Sequence, residues 1–162
     1  MLPYGGGIPG EKSVTETEFA AVPIEAIRAF WNARPCNIRH SAQVLGSPEY
    51  FDEVAARKYY VEPHIPRFAR FADWKGKRVL EIGCGIGTDS ASFVRAGAML
   101  TAVDLSPESL ALARQRITTL GLGFSPEVRF HEADAERLTA FVPPCDRDGN
   151  SRKFCKNGRR LT

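Results

Sequence analysis

Cysteine and histidine are scarce in this chain of 162 residues, and the scarcity is informative. Its four cysteines, Cys36, Cys84, Cys145 and Cys155, form no CxxC pair and have no partnering histidine cluster. That argues against a disulfide framework and against a zinc site. No apolar run approaches the roughly 18 residues that a membrane span needs, so no membrane partner is expected. The N-terminus lacks the basic start and apolar core of a signal peptide, and a cytoplasmic protein is expected. A charge excess is also missing over most of the length. Residues 146–162 hold six basic and two acidic residues, which puts +4 in that stretch and leaves −1 for residues 1–145, out of a total of +3. What remains, 43% apolar and 25% charged, is the composition of one globular domain.

Four segments are expected. Residues 1–22, with Gly5, Gly6, Gly7 and Gly10, read as a flexible N-terminus. Residues 23–76 read as a helical extension. Ile24, Ile27 and Trp31 fall at helical spacing, and residues 33–46 read as a loop. Ser47-Pro48-Glu49 is a helix start: a capping hydroxyl, proline at the first helical position, then an acid. Phe51, Val54, Ala55 and Val61 form that helix's apolar set, Pro63 and Pro66 end or interrupt it, and a further short helix runs through Phe68 and Phe71. Residues 77–140 change period. Short apolar strands at 78–82, 99–103 and 128–131 alternate with helices at 89–96 and from Ser106-Pro107-Glu108 to a stop at Gly121. This alternation predicts βαβ units, a parallel sheet and helices on both faces. Residues 141–162 read as a basic, disordered tail.

The informative run is Val79-Leu-Glu-Ile-Gly-Cys-Gly-Ile-Gly-Thr88. A strand, a glycine-rich turn and a helix in succession bring backbone N–H groups and a helix N-terminus to a ligand, and glycines let the backbone come close. Taken alone, the glycines also fit a mere tight turn. Asp104, 21 residues after Gly83, stands where a nucleoside-binding βαβ unit places an acid for the ribose hydroxyls. Asp134 follows the third strand, so the loop and both acids share one edge of an open parallel sheet, the edge where ligands bind. The third glycine comes one place too early for a dinucleotide fingerprint, which disfavours an NAD-type protein. Glu81, two residues before the first glycine, would repel a pyrophosphate but suits a zwitterionic sulfonium.

EIGCGIG, AVDLSPESLALAR and ADAERL together resemble the three cofactor motifs of class I S-adenosylmethionine-dependent methyltransferases, over about residues 78–138. The resemblance implies a Rossmann-like doubly wound α/β sheet, of which only the strand 3-2-1 half is present. It implies that Gly83, Cys84, Gly85 and Gly87 lie against the methionine part of S-adenosylmethionine, with Glu81 supporting the amino end. Asp104 would hold the ribose hydroxyls and Leu105 would lie on the adenine. Asp134 would take the adenine amino group, with the Ala135 N–H facing a ring nitrogen. The implied activity is methyl transfer to a small-molecule acceptor, with catalysis by positioning and no catalytic base identified. Residues 23–76 would cap the cofactor and shape the acceptor pocket, with Trp31 to His40 rich in recognition-type side chains and Tyr59-Tyr60 as a lid. The plainer reading puts Trp31 in the core and leaves Arg34, Arg39 and His40 solvated. Cys84 lacks an evident base and reads as a small turn residue.

The family pattern stops after Leu138. Residues 141–162 contain no apolar run able to make a strand, and a truncated or frame-shifted sequence ending near Pro144 is expected. Strand 78–82 would then be an exposed edge, the cofactor crevice would lack an opposite wall, and binding would be weak. The rival reading is a nucleic-acid-binding module using Arg152, Lys153, Arg159 and Arg160. A single aromatic, Phe154, among those charges favours a solvated tail instead.

Overall fold

The computed structural model describes residues 22–123 and 128–138, together with the backbone of 152–155 and 160–161. The Gly-rich start and most of the basic tail lie outside the described residues. The centre of the fold is a parallel sheet of β1 (Arg78–Ile82), β2 (Met99–Asp104) and β3 (Val128–Glu132). Each strand begins within a residue of its sequence expectation, because each is a short apolar run ended by a glycine or an acid. The two crossovers contain α4 (Thr88–Arg95) and α5 (Pro107–Thr119).

Alternation along the strands divides the core. Val79, Leu100, Ala102, Val128 and Phe130 pack with Ala91 and Phe93 of α4 and with Leu110, Ala113 and Ile117 of α5. Leu80, Ile82 and Val103 point the other way and pack with Ala133 and Leu138. Among the described residues this second cluster contains no helical residue, since both crossover helices cover the first face.

One correction concerns the edge of β1. Arg152–Cys155 forms β4, parallel to β1, and Arg160–Leu161 forms β5, antiparallel to β4, so the sheet order is β3-β2-β1-β4-β5. The expectation of a strandless, disordered tail and an open β1 edge therefore fails for these residues. An unpaired strand edge offers a row of backbone donors and acceptors, and four residues can pair with it without an apolar signature of their own.

The N-terminal elements are α1 (Ile24–Ala33), α2 (Pro48–Val61), α3 (His64–Ala69) and a 3₁₀ turn, Phe71–Trp74. Ser47 caps α2 by accepting from the Tyr50 N–H at 3.1 Å, as its sequence predicts. The buried stripe of α2 is Tyr50, Phe51, Val54 and Lys58, which packs on Ile86, Leu112 and Leu120 in its apolar part. Val61, expected in the stripe, is 51% exposed. Pro66 does not break the chain's course. It lies in the first turn of α3, where no intrahelical N–H bond is lost. Helix α1 buries none of its residues, and Trp31 is 41% exposed rather than core.

Candidate functional site

The carboxyl ends of β1, β2 and β3 open into a cleft of about 790 Å³. Its floor and one wall come from residues that the sequence singles out: Gly83, Gly85, Asp104, Leu105, Asp134 and Ala135. The opposite wall comes from the N-terminal extension, with Ile24, Ile27 and Trp31 of α1, Cys36, Asn37 and His40 of the following loop, and Lys58, Val61, Glu62 and Ile65 beyond it.

The glycine loop turns sharply. Gly83, Gly85 and Gly87 have φ of 71°, 55° and 73°, the left-handed region that other residues enter at a cost. The loop is tied to β2 at two levels. The N–H groups of Gly83 and Cys84 donate to the Val103 carbonyl at 2.8 and 3.1 Å. The Gly85 N–H donates to Asp104 Oδ2 at 2.7 Å, and the Ser106 N–H donates to the other carboxylate oxygen at 2.9 Å. Asp134 makes a similar local bond, accepting from the Glu136 N–H at 2.9 Å.

Three of the sequence-selected residues do not line the cleft. Glu81 is buried beneath the loop, and its carboxylate accepts from the Ser90 hydroxyl at 2.6 Å. Cys84 turns its side chain into the main core. Gly87 packs on α5, where a Cβ would stand 2.9 Å from that of Ala113. The Tyr59-Tyr60 pair forms no lid over the cleft. Tyr59 is bonded to Asp89 and Ser92 at 3.0 and 2.8 Å, and Tyr60 is 83% exposed. Burial and the Asp89 carboxylate push the Tyr59 phenol well above its ordinary range.

Within the extension, which the sequence expects at the acceptor pocket, individual residues were missed. Lys58 is the clearest case: it borders the cleft and forms a 2.5 Å ion pair with Asp89 under nearly complete burial. Its signal was present, since it follows Phe51 and Val54 on the same helical stripe. Helix α1 is latched to the strand ends by Ser106, whose hydroxyl donates to Asn32 Oδ1 at 2.7 Å while also capping α5. Arg28 adds an exposed pair with Glu132 at 3.0 Å.

The donor set can be compared with candidate ligands. Four carboxylates, Glu62, Asp104, Asp134 and Glu136, face the cleft, and Lys58 is the only lysine or arginine among its described lining residues. Lys58 is already neutralised by Asp89. A pyrophosphate has no cation to meet here, whereas a ligand carrying a sulfonium and an ammonium meets complementary charge. Among the described residues no group of His, Cys, Asp and Glu could hold a metal ion, and no helix is long and apolar enough to cross a membrane.

Comparison with known proteins agrees with this chemistry. Residues 79–146 match a family model described as a methyltransferase domain. Over 71 residues the chain is 44% identical to the ubiquinone biosynthesis O-methyltransferase of Aromatoleum aromaticum, a stretch covering 44% of this chain and 29% of that protein. It is 43% identical over 68 residues to the protein of the same name from Xanthomonas oryzae pv. oryzae, covering 42% and 27%. The chain thus spans less than a third of the length of these relatives. The fold resembles that of magnesium protoporphyrin IX methyltransferase from Synechocystis, solved with S-adenosylmethionine bound, with a TM-score of 0.53 at 22% identity over 74% of this chain and 58% of that one. The same enzyme with S-adenosylhomocysteine gives 0.51. These findings agree with the resemblance read from the sequence over residues 79–146 and with its Rossmann-like half-sheet.

Proposed function

We propose that this chain, whose residues 79–146 match a family model described as a methyltransferase domain, binds S-adenosylmethionine in the cleft and presents its methyl group to a small-molecule acceptor. The observation that carries this reading is the gathering of Gly83, Gly85, Asp104, Leu105, Asp134 and Ala135 at one sheet edge, in a cleft whose charge is acidic. The glycine loop would take the methionine part. The buried Glu81 carboxylate beneath it would contribute negative potential towards the ammonium and the sulfonium. Cys84 and Gly87 would act by shaping the loop, one from the core and one against α5. Asp104 keeps lone pairs for the ribose hydroxyls after accepting two backbone bonds, Leu105 would lie on the adenine, and Asp134 with the Ala135 N–H would read its edge.

Bound S-adenosylmethionine supplies an electrophilic methyl group, and the protein's part is to hold donor and acceptor in line and to keep water out. The relatives named for O-methylation make a hydroxyl the first acceptor group to consider. Calorimetric titration of the chain with S-adenosylhomocysteine and, separately, with NAD tests the reading. Saturable binding of the first and none of the second is expected, and the reverse result would overturn it.

A further inference from the structure

Helix α1 forms part of the cleft wall and yet buries none of its own residues. Ile24, Ile27 and Trp31 make the face that borders the cleft. Arg28 and Asn32, four residues apart, make the neighbouring face. A helix of 10 residues is marginal in water on its own, so its order depends on what holds it from outside. Two side-chain bonds tie it to the strand ends: Asn32 with the Ser106 hydroxyl at 2.7 Å, and Arg28 with Glu132 at 3.0 Å.

Both anchors stand in the loops that carry the proposed cofactor residues. Ser106 follows Asp104 and Leu105, and Glu132 comes two residues before Asp134. The two loops are joined, because the Ala133 N–H donates to the Asp104 carbonyl at 3.0 Å. None of the four anchoring residues lines the cleft itself.

Ser106 is the stronger anchor. The Arg28–Glu132 pair is exposed, and such pairs contribute little. Ser106 is completely buried, and each of its polar groups is engaged. Its N–H donates to the Asp104 carboxylate at 2.9 Å, and its carbonyl accepts from the Leu110 N–H at 3.1 Å. Its side-chain oxygen accepts from the Ser109 N–H at 3.0 Å, which leaves its one hydroxyl proton for Asn32. A chain of directional bonds thus runs from Asp104 to α1.

We infer that Ser106 is a positioning residue that couples occupation of the ribose site to the closure of α1 over the cofactor. The inference rests on the methyltransferase reading above. A ribose held by Asp104 steadies the loop 104–106, and that loop holds α1 through Asn32. The coupling is reciprocal, so a firmly held α1 tightens cofactor binding in turn.

Amide hydrogen exchange of residues 24–33 in the full chain, with and without S-adenosylhomocysteine, tests the coupling alongside calorimetric affinity. In the unaltered chain the ligand is expected to slow exchange along α1. Asn32→Ala speeds that exchange by about fivefold without ligand, the worth of one hydrogen bond, and weakens S-adenosylhomocysteine severalfold. Asn32→Asp keeps an acceptor for the Ser106 hydroxyl and recovers most of both losses. Exchange in β1 and β2 stays the same in all three proteins, which shows that the sheet is intact. A merely structural Asn32 would loosen α1 and leave the affinity unchanged. That result, no effect of Asn32→Ala on α1, or exchange in α1 that the ligand does not slow would each overturn the inference. Failure of S-adenosylhomocysteine to bind the unaltered chain would overturn the methyltransferase reading and the coupling with it, while ligand-free exchange would still show whether Ser106 holds α1.

Discussion

The Gly85 amide and the Asp104 carboxylate, 2.7 Å apart, join the turn after β1 to the end of β2. One side chain thereby serves two purposes. It fixes the glycine loop in its left-handed course, and it places an anionic acceptor where ribose hydroxyls would lie. Both purposes follow from topology, because adjacent parallel strands put the two carboxyl ends side by side.

Replacing Asp104 should therefore cost more than a single ligand contact. Asp104→Ala removes two charge-assisted bonds that hold the loop and Ser106, together with the proposed bonds to ribose. Affinity for S-adenosylhomocysteine should fall by at least the ~1.5–3 kcal/mol of one such bond, and calorimetry would show it. Asp104→Asn should retain part of the binding, because its amide oxygen can still accept one of the two backbone N–H groups. Unchanged affinity in the alanine variant would remove Asp104 from the site.

The Lys58–Asp89 pair should behave as a coupled unit. Its side chains are 6% and 16% exposed, so removing either charge strands the other in a poorly solvated place. Lys58→Met is expected to destabilise the chain by about 3–5 kcal/mol, as for other buried pairs broken on one side. Lys58→Met combined with Asp89→Leu should cost clearly less than the two single changes added together, since Tyr59 keeps Ser92 as a partner. Urea unfolding of the four proteins in the cycle measures the coupling, and simple additivity would show that the pair does not interact in solution.

The sheet and its crossover helices were legible because local signals agreed there: alternating short apolar runs, Ser106 as a cap, and Gly97 and Gly121 as stops, both at positive φ. The sheet-edge half of the site was legible for the same reason, since Gly83, Asp104 and Asp134 fall at successive strand ends. The other half was legible as a segment, residues 23–76, and not residue by residue. Ile24, Ile27 and Trp31 carry an ordinary amphipathic pattern, and nothing in periodicity says whether such a face meets a core or a cleft. Lys58 reads as a surface residue by type, and its burial depends on Asp89, which is 31 residues away. The pairing of β4 with β1 rests on the backbone and leaves little trace in composition.

Alkaline stability follows from two tyrosines. Burial raises the Tyr50 phenol, with Arg116 partly opposing it, and burial together with the Asp89 carboxylate raises Tyr59 much further. In the unfolded chain both phenols lose their protons near the ordinary value of 10.0, while the folded chain keeps them. The folded state then binds more protons than the unfolded one, so stability is fully present below that pH and declines as pH rises above it. Burial pulls the Arg116 guanidinium down, which acts in the opposite sense, but it is one group against two. Urea midpoints should fall as pH rises past the ordinary phenol value, and Tyr59→Phe should flatten the decline. A midpoint independent of alkaline pH would contradict the burial of Tyr59.

Gly87 gives a test of the loop that needs no ligand. Its φ of 73° is left-handed, and an added Cβ would lie 2.9 Å from the Ala113 Cβ and 3.0 Å from the Ala113 Cα. Ala113 is itself completely buried in the main core on α5, so neither side can give way freely. Gly87→Ala should cost ~1–2 kcal/mol for the backbone conformation and a further ~1–3 kcal/mol for overpacking. Ala113→Gly in the same chain should relieve the Cβ–Cβ overlap but not the approach to the Ala113 Cα, and its own cost of about 1 kcal/mol inside a helix is measured in the Ala113→Gly single variant. Thermal unfolding of the single and double variants separates the two contributions. If Gly87→Ala unfolds at the temperature of the unaltered chain, the contact between the loop and α5 does not exist.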